Sequence, residues 1–154
     1  MTTPAVDLLT DRLEIADLLT RYALAIDTDK WDLLDSVFTP DARIDYSSSG
    51  GTSGAYPEVK AWLAQILPMF YGRQHFVTNS TITFDDEQRT TATGRTYFYN
   101  PMGWKDEAQA IHMFYVGGYY HDRLVRTAGG WRIAERVEEQ AWVGGEGPQL
   151  TAPK

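Results

Sequence analysis

The chain has no cysteine in its 154 residues. Disulfides, thiol nucleophiles and cysteine-ligated metals are therefore excluded. Basic residues are few. Fourteen Lys and Arg stand against 21 Asp and Glu, for a formal net charge of −7. They form no stripe, so a nucleic-acid partner is not expected. No apolar run approaches the length of a membrane span, and Met1 to Asp7 lacks the basic region and apolar run of a signal peptide. The expectation is a cytoplasmic protein with no membrane partner. The histidines are His75, His112 and His121. By parity the last two fall on opposite faces of one strand, without a second histidine or carboxylate at ligand spacing. No metal site is expected.

Aromatic residues, by contrast, are abundant: five Trp, nine Tyr and six Phe. That is more than a small core requires, and it points to an aromatic-lined cavity or to a well-filled sheet. The length suits a single domain, 1–154, with its core at about 5–143 and a loose Gly/Pro-rich tail at 144–154.

Val6, Leu9, Leu13, Ala16, Leu19 and Ala23 recur at helical spacing, widened by Leu8, Ile15, Leu18, Tyr22 and Ile26, and predict a helix over roughly 5–26. A second helix is expected from Asp29, a good N-cap, to Pro40, which ends it. Ala42, Ile44 and Tyr46 alternate as a short strand, followed by a Ser/Gly loop. Pro57, Val59, Trp62, Leu63, Ile66 and Phe70 give a third helix. From residue 73 the period becomes two. Strands are expected at 75–84, 89–100, 108–126 (with a kink at Gly117-Gly118) and 131–143, with a loop at 101–105. Three N-terminal helices before a meander of long strands argue an α+β fold: helices packed on a strongly curved, mainly antiparallel sheet, forming a cone with an apolar cavity.

Asp27 ends the first helix and His75 opens the first long strand. A carboxylate beside an imidazole fixes its tautomer and stabilises its charged form, and such a ring can take a proton from carbon or oxygen. Each residue also has a plain reading, His75 as a core histidine and Asp27 as a helix-junction residue.

The chain resembles the nuclear transport factor 2-like superfamily, in its SnoaL-like and scytalone-dehydratase-like branch, over roughly 8–143. Carriers of the resemblance are Arg21 to Asp27, Trp31 to Leu34, Phe38 to Ala42, Gln74-His75 with Asn79, Asp122 to Thr127, and Gly130 to Ala134. The resemblance implies that Asp27 and His75 form an acid/base dyad, at a spacing similar to that of bile-acid 7α-dehydratase and hexachlorocyclohexane dehydrochlorinase. Tyr22 and Tyr46 match pocket tyrosines of the branch, and Arg136 falls on a functional arginine. A second histidine of scytalone dehydratase is replaced by Asn100, and its serine and asparagine by Gly117 and Tyr119.

The expected activity is a cofactor-independent lyase (dehydratase-type elimination) or isomerase acting on a hydrophobic aromatic or polycyclic small molecule. Asp27, His75, Tyr22 and Tyr46 are the catalytic candidates; Asn100, Arg136, Trp31, Tyr119, Phe98 and Trp62 are the substrate-binding ones. Tyr22 could equally pack, Asn100 begin a turn at Pro101, and Arg136 pair with Glu135, Glu138 or Glu139. Trp104 and Met102 could form a lid or a hairpin tip. An aldol-type cyclase or C–C lyase with the same dyad, and a non-catalytic oxygenase subunit, remain alternatives. A homotrimer or homodimer is expected.

Overall fold

A computed structural model describes residues 4–148. Helix α1 spans Pro4–Asp27 and α2 spans Tyr56–Ile66. Strands β1 (Phe38–Asp45), β2 (Ser53–Ala55), β3 (Gly72–Arg73), β4 (Phe76–Phe84), β5 (Thr91–Lys105), β6 (Ile111–Thr127) and β7 (Gly130–Gly145) form one curved sheet. Its order is β2-β1-β7-β6-β5-β3, with β4 also on β5. Among the described residues only the β1–β7 pairing is parallel, which makes the sheet mainly antiparallel. This is the helix-on-curved-sheet architecture read from the sequence. The core lies between α1, α2 and the concave face.

Several elements differ from expectation. The second helix is a 3-10 turn, Trp31–Ser36. Asp29 does not cap it: Asp29 is left-handed, at φ 56°, and pairs with Arg73. Pro40 ends no helix either. It lies in β1, within the irregular stretch where pairing with β7 slips between Phe38 and Arg43. A missing N–H is harmless there. The expected loop at 101–105 is strand. Pro101 faces the β3–β4 corner and accepts the Gln74 N–H at 3.1 Å. Residues 144 and 145 are also strand, and Glu146 accepts from Trp104 Nε1 at 2.5 Å. Residues 146–148 follow the strand without regular secondary structure, and 149–154 of the expected tail lie outside the described residues.

The buried face of α1 is also shifted. Asp11, Ile15, Leu18, Leu19, Tyr22, Ala25 and Ile26 face the core, while Val6, Leu9 and Leu13 are exposed. Asp11 decides this rotation. Its carboxylate sits at the sheet and holds Arg89 Nε at 2.6 Å, Arg126, and Trp131 Nε1 at 3.2 Å. A buried carboxylate persists only when satisfied in this way.

Gly117-Gly118 marks a bulge, as expected. Pairing with β7 slips there, and a Cβ on Gly118 would lie 2.0 Å from the Glu139 carbonyl oxygen. Among the described residues no helix is long and apolar enough to cross a membrane.

Candidate active site

Asp27 is the last residue of α1, and His75 occupies the corner between β3 and β4. A corner residue leaves the strand ladder, so its N–H needs another acceptor. Asp27 supplies it: Oδ2 accepts the His75 N–H at 2.9 Å. Oδ1 stands 2.6 Å from ring Nδ1. The carboxylate thus fixes both the backbone and the ring. A proton on Nδ1 shared with Asp27 leaves the lone pair on Nε2, which has no protein partner among the described residues.

Arg73 holds this junction together. Its Nε donates to Ile26 O at 2.9 Å, one terminal nitrogen donates to Leu67 O at 3.0 Å, and the other pairs with Asp29. A cation is favourable at a helix C-terminus, where carbonyls lack intrahelical partners. Arg73 therefore ties the end of α1 to the strand that delivers His75.

His75 opens onto a cavity of about 250 Å³ between the helices and the concave sheet face. Trp62, Leu63 and Ile66 of α2 form one apolar wall, with Leu67 and Phe70 after it. Met102, Phe114 and Val116 form the opposite wall, and Gly147 and Pro148 close the side near the chain end. Ser49, Gly50 and Gly51 form the rim, in the segment read as a Ser/Gly loop.

Polar groups form a band across the floor. Asn100 on β5 follows the register Phe76↔Tyr99, so it falls opposite His75. Its Nδ2 donates to Tyr120 Oη at 3.5 Å, and its Oδ1 is buried without a partner. Tyr22 and Tyr46 share a hydrogen bond at 3.0 Å, which leaves one hydroxyl hydrogen of the pair for another acceptor. Burial raises the pKa of Tyr22, Tyr46 and Tyr120, so all three stay protonated donors at neutral pH. Glu138 on β7 completes the band. It is 8% exposed, and its Oε1 has no hydrogen-bond partner. Burial raises its pKa to about 7, and Asp45 adds to this; the nearby Ser49 and Ser48 hydroxyls and Arg136 pull the other way.

Of the ten candidates, Asp27 and His75 meet, and Tyr22, Tyr46, Asn100 and Trp62 line the cavity with His75. The other four do not line it. Arg136 is fully buried beneath the floor, paired with Asp122 by two 2.7 Å hydrogen bonds rather than with Glu135, Glu138 or Glu139. Its guanidinium carbon lies 4.3 Å from the Tyr22 ring centre and 4.2 Å from that of Tyr120. Burial opposes its charge, but Asp122 outweighs that and holds it protonated. Phe98 stacks behind Tyr120 at 4.5 Å. Tyr119 points to the outer sheet face, against Tyr97 and Arg95. Trp31 packs at the α1 junction, near Arg73.

Asn79 is exposed and left-handed, away from the cavity. Met102 lines the cavity, whereas Trp104 stacks on His112 at 4.6 Å. His112 and His121 do have carboxylate neighbours: Asp106 and Glu146 for the first, Glu139 for the second. No group of three or more His, Asp or Glu among the described residues could hold a metal. Sequence reasoning missed Tyr120, Ser49 and Glu138. Tyr120 was recoverable, because it shares the parity of the buried Leu124 and Asp122.

Uncharacterized protein Rv2910c of Mycobacterium tuberculosis is 42% identical over 134 residues, covering 87% of this chain and 88% of that one. A crystal structure of the Kfla4162 protein from Kribbella flavida superimposes with a TM-score of 0.78 at 26% identity, over 89% of this chain and 95% of that one. Hexachlorocyclohexane dehydrochlorinase LinA Type2 has the same fold, with a TM-score of 0.78 at 20% identity over 97% of each chain. The SnoaL-like domain model matches residues 7–137, and the chain belongs to that family.

Proposed function

We propose that this protein is a cofactor-independent lyase or isomerase for hydrophobic aromatic or polycyclic small molecules, with His75 as general base and Asp27 as the group that orients it. The observation that carries the reading is the two-point hold of Asp27 on His75, which leaves ring Nε2 for a ligand in an apolar-walled cavity. In this scheme His75 Nε2 takes a proton from a carbon beside a carbonyl or other activating group. The Tyr22–Tyr46 pair, with one hydroxyl hydrogen uncommitted, donates to the oxygen on which charge develops. His75 then returns the proton to a leaving hydroxyl, giving dehydration, or to carbon, giving isomerisation. The same base serves an aldol-type or C–C-cleaving reaction. Membership of the SnoaL-like family and the fold shared with a dehydrochlorinase support this class. An open cavity lined by titratable groups also favours an enzyme over an accessory subunit, whose cavity side chains would fill.

Proton abstraction is testable before the substrate is known. In D2O, the bicyclic ketone 2-tetralone should exchange its acidic C–H hydrogens in the presence of the protein. General-base catalysis contributes about 10²–10⁴-fold, so His75→Ala should slow the exchange by about 10²-fold or more, and Asp27→Asn should slow it strongly. Exchange by wild type no faster than by His75→Ala would place the base elsewhere or leave the cavity a binding site only.

A further inference from the structure

The cavity contains a second polar end that the proton-abstraction scheme does not use. Glu138 and Asn100 are 92% and 95% buried (8% and 5% exposed), and each presents to the cavity an oxygen with no hydrogen-bond partner. An unsatisfied buried acceptor costs about 1–3 kcal/mol, which a bound donor recovers. The two sit at different places. Asn100 lies opposite His75, whereas Glu138 is cross-strand from Tyr120, two strands over, beside Ser49 at the rim. Arg136 gives Nε and Nη2 to Asp122, and although its Nη1 is buried without a partner, it does not line the cavity and so offers a ligand anion no direct pair. A carboxylate or sulfate on the ligand would meet the Glu138 carboxyl and the Asp45 charge behind it.

We infer that Glu138 receives a hydroxyl of the substrate at the end of the cavity away from His75, so that the substrate is an uncharged ring compound with oxygen functions at both ends. This rests on reading the cavity as a substrate site. The apolar walls hold the ring body, the Tyr22–Tyr46 pair donates to the oxygen near the reacting carbon, and Glu138 meets the far hydroxyl. Glu138 then sets which ring compounds bind and which carbon is presented to His75. It is a specificity residue rather than the base.

The test compares two probes of nearly equal shape, naphthalene-2,6-diol and 6-methyl-2-naphthol. They share one hydroxyl, and the second position is hydroxyl or methyl. Binding is read by quenching of tryptophan fluorescence, since Trp62 lines the cavity. Wild type should bind the diol about tenfold more tightly, the discrimination one such hydrogen bond provides. Glu138→Met, which keeps the side-chain length, should lose or reverse that preference, and Glu138→Leu should do the same if the first variant folds poorly. His75→Ala should keep it. An unchanged preference in a folded Glu138 variant, or none in wild type, overturns the assignment of Glu138 and leaves the His75 scheme standing. If wild type binds neither probe, the cavity is not a site for such ring compounds and the inference falls. The deuterium exchange above tests the base separately.

Discussion

Replacing Glu138 by Gln should make the protein more stable at pH 8 and leave it nearly unchanged at pH 4. The carboxyl titrates at its ordinary 4.5 in the unfolded chain and at about 7 in the folded one, because burial disfavours its charge. A raised carboxyl pKa means that the folded state binds more protons between those values, so stability falls as pH rises from about 4.5 to about 7 and levels off above. The rise corresponds to about 3 kcal/mol lost across that window. Gln has nearly the same shape and no charge, so it removes the loss. The two melting curves, followed by circular dichroism at several pH values, should diverge through the window. At this chain length about 3 kcal/mol corresponds to a Tm gain of roughly 6–12 °C above pH 8. Loss of the side chain's remaining polar contacts would add only a constant offset. A difference in Tm that is the same at pH 4 and pH 8, or a variant less stable only at pH 8, would show that Glu138 is ionised at no special cost in the folded protein. The reasoning from its burial would then be wrong.

Three further outcomes follow from other contacts. Asp11→Ala should cost about 3 kcal/mol in urea unfolding, because it strips Arg89, Arg126 and Trp131 of a buried acceptor; a loss below about 1 kcal/mol would contradict that role. His112 has its pKa raised above 6.5, chiefly by Asp106 and then by Glu146, so this hold on the chain after β7 is complete below 6.5 and is lost as pH rises through the raised value. Proteolysis at 146–148 should speed up at alkaline pH, and His112→Ala should abolish that pH dependence. The outer sheet face carries exposed Phe76, Tyr97, Tyr99 and Trp142, and we expect it to bury more than about 1,000 Å² in a homotrimer or homodimer. Light scattering should give a monomer for Tyr99→Glu with Trp142→Glu, and a monomeric wild type at micromolar concentration would refute the assembly.

The helix and strand periods carried most of the fold, because they record which face is buried. They failed where a local device overrode them. Val6, Leu9 and Leu13 look like a core stripe, yet the Asp11 carboxylate fixes α1 at a different rotation. The Trp31–Ser36 segment has the apolar residues of a helix but only six positions, and closes as a 3-10 turn. Asp27 and His75 were readable as a pair only through the family resemblance. What holds them, the reach of Arg73 to three groups at the end of α1, has no local sequence signature.

The far end of the cavity was hidden for a different reason. Trp131 and Ile133 are buried, so a period of two carried along β7 sends Glu135, Val137 and Glu139 inward and Arg136 and Glu138 out. The structure does the reverse. Leu124 pairs with Ile133, but Arg123 pairs with Glu135, so Ala134 is an extra residue in β7. One inserted residue turns every later side chain to the opposite face. Val137 is therefore 40% exposed, whereas Arg136 is fully buried and Glu138 nearly so. A second slip opposite Gly117-Gly118 makes Ala141 extra as well. The first bulge thus places the charge under the floor and the acid in the cavity. Deleting Ala134 would straighten β7 while keeping Glu135 opposite Arg123, so the Arg136 and Glu138 side chains should stay inward. The Asp122 pair and the pH-dependent stability assigned to Glu138 should both persist in that variant, and loss of the pH dependence would show that the extra residue lies elsewhere in β7.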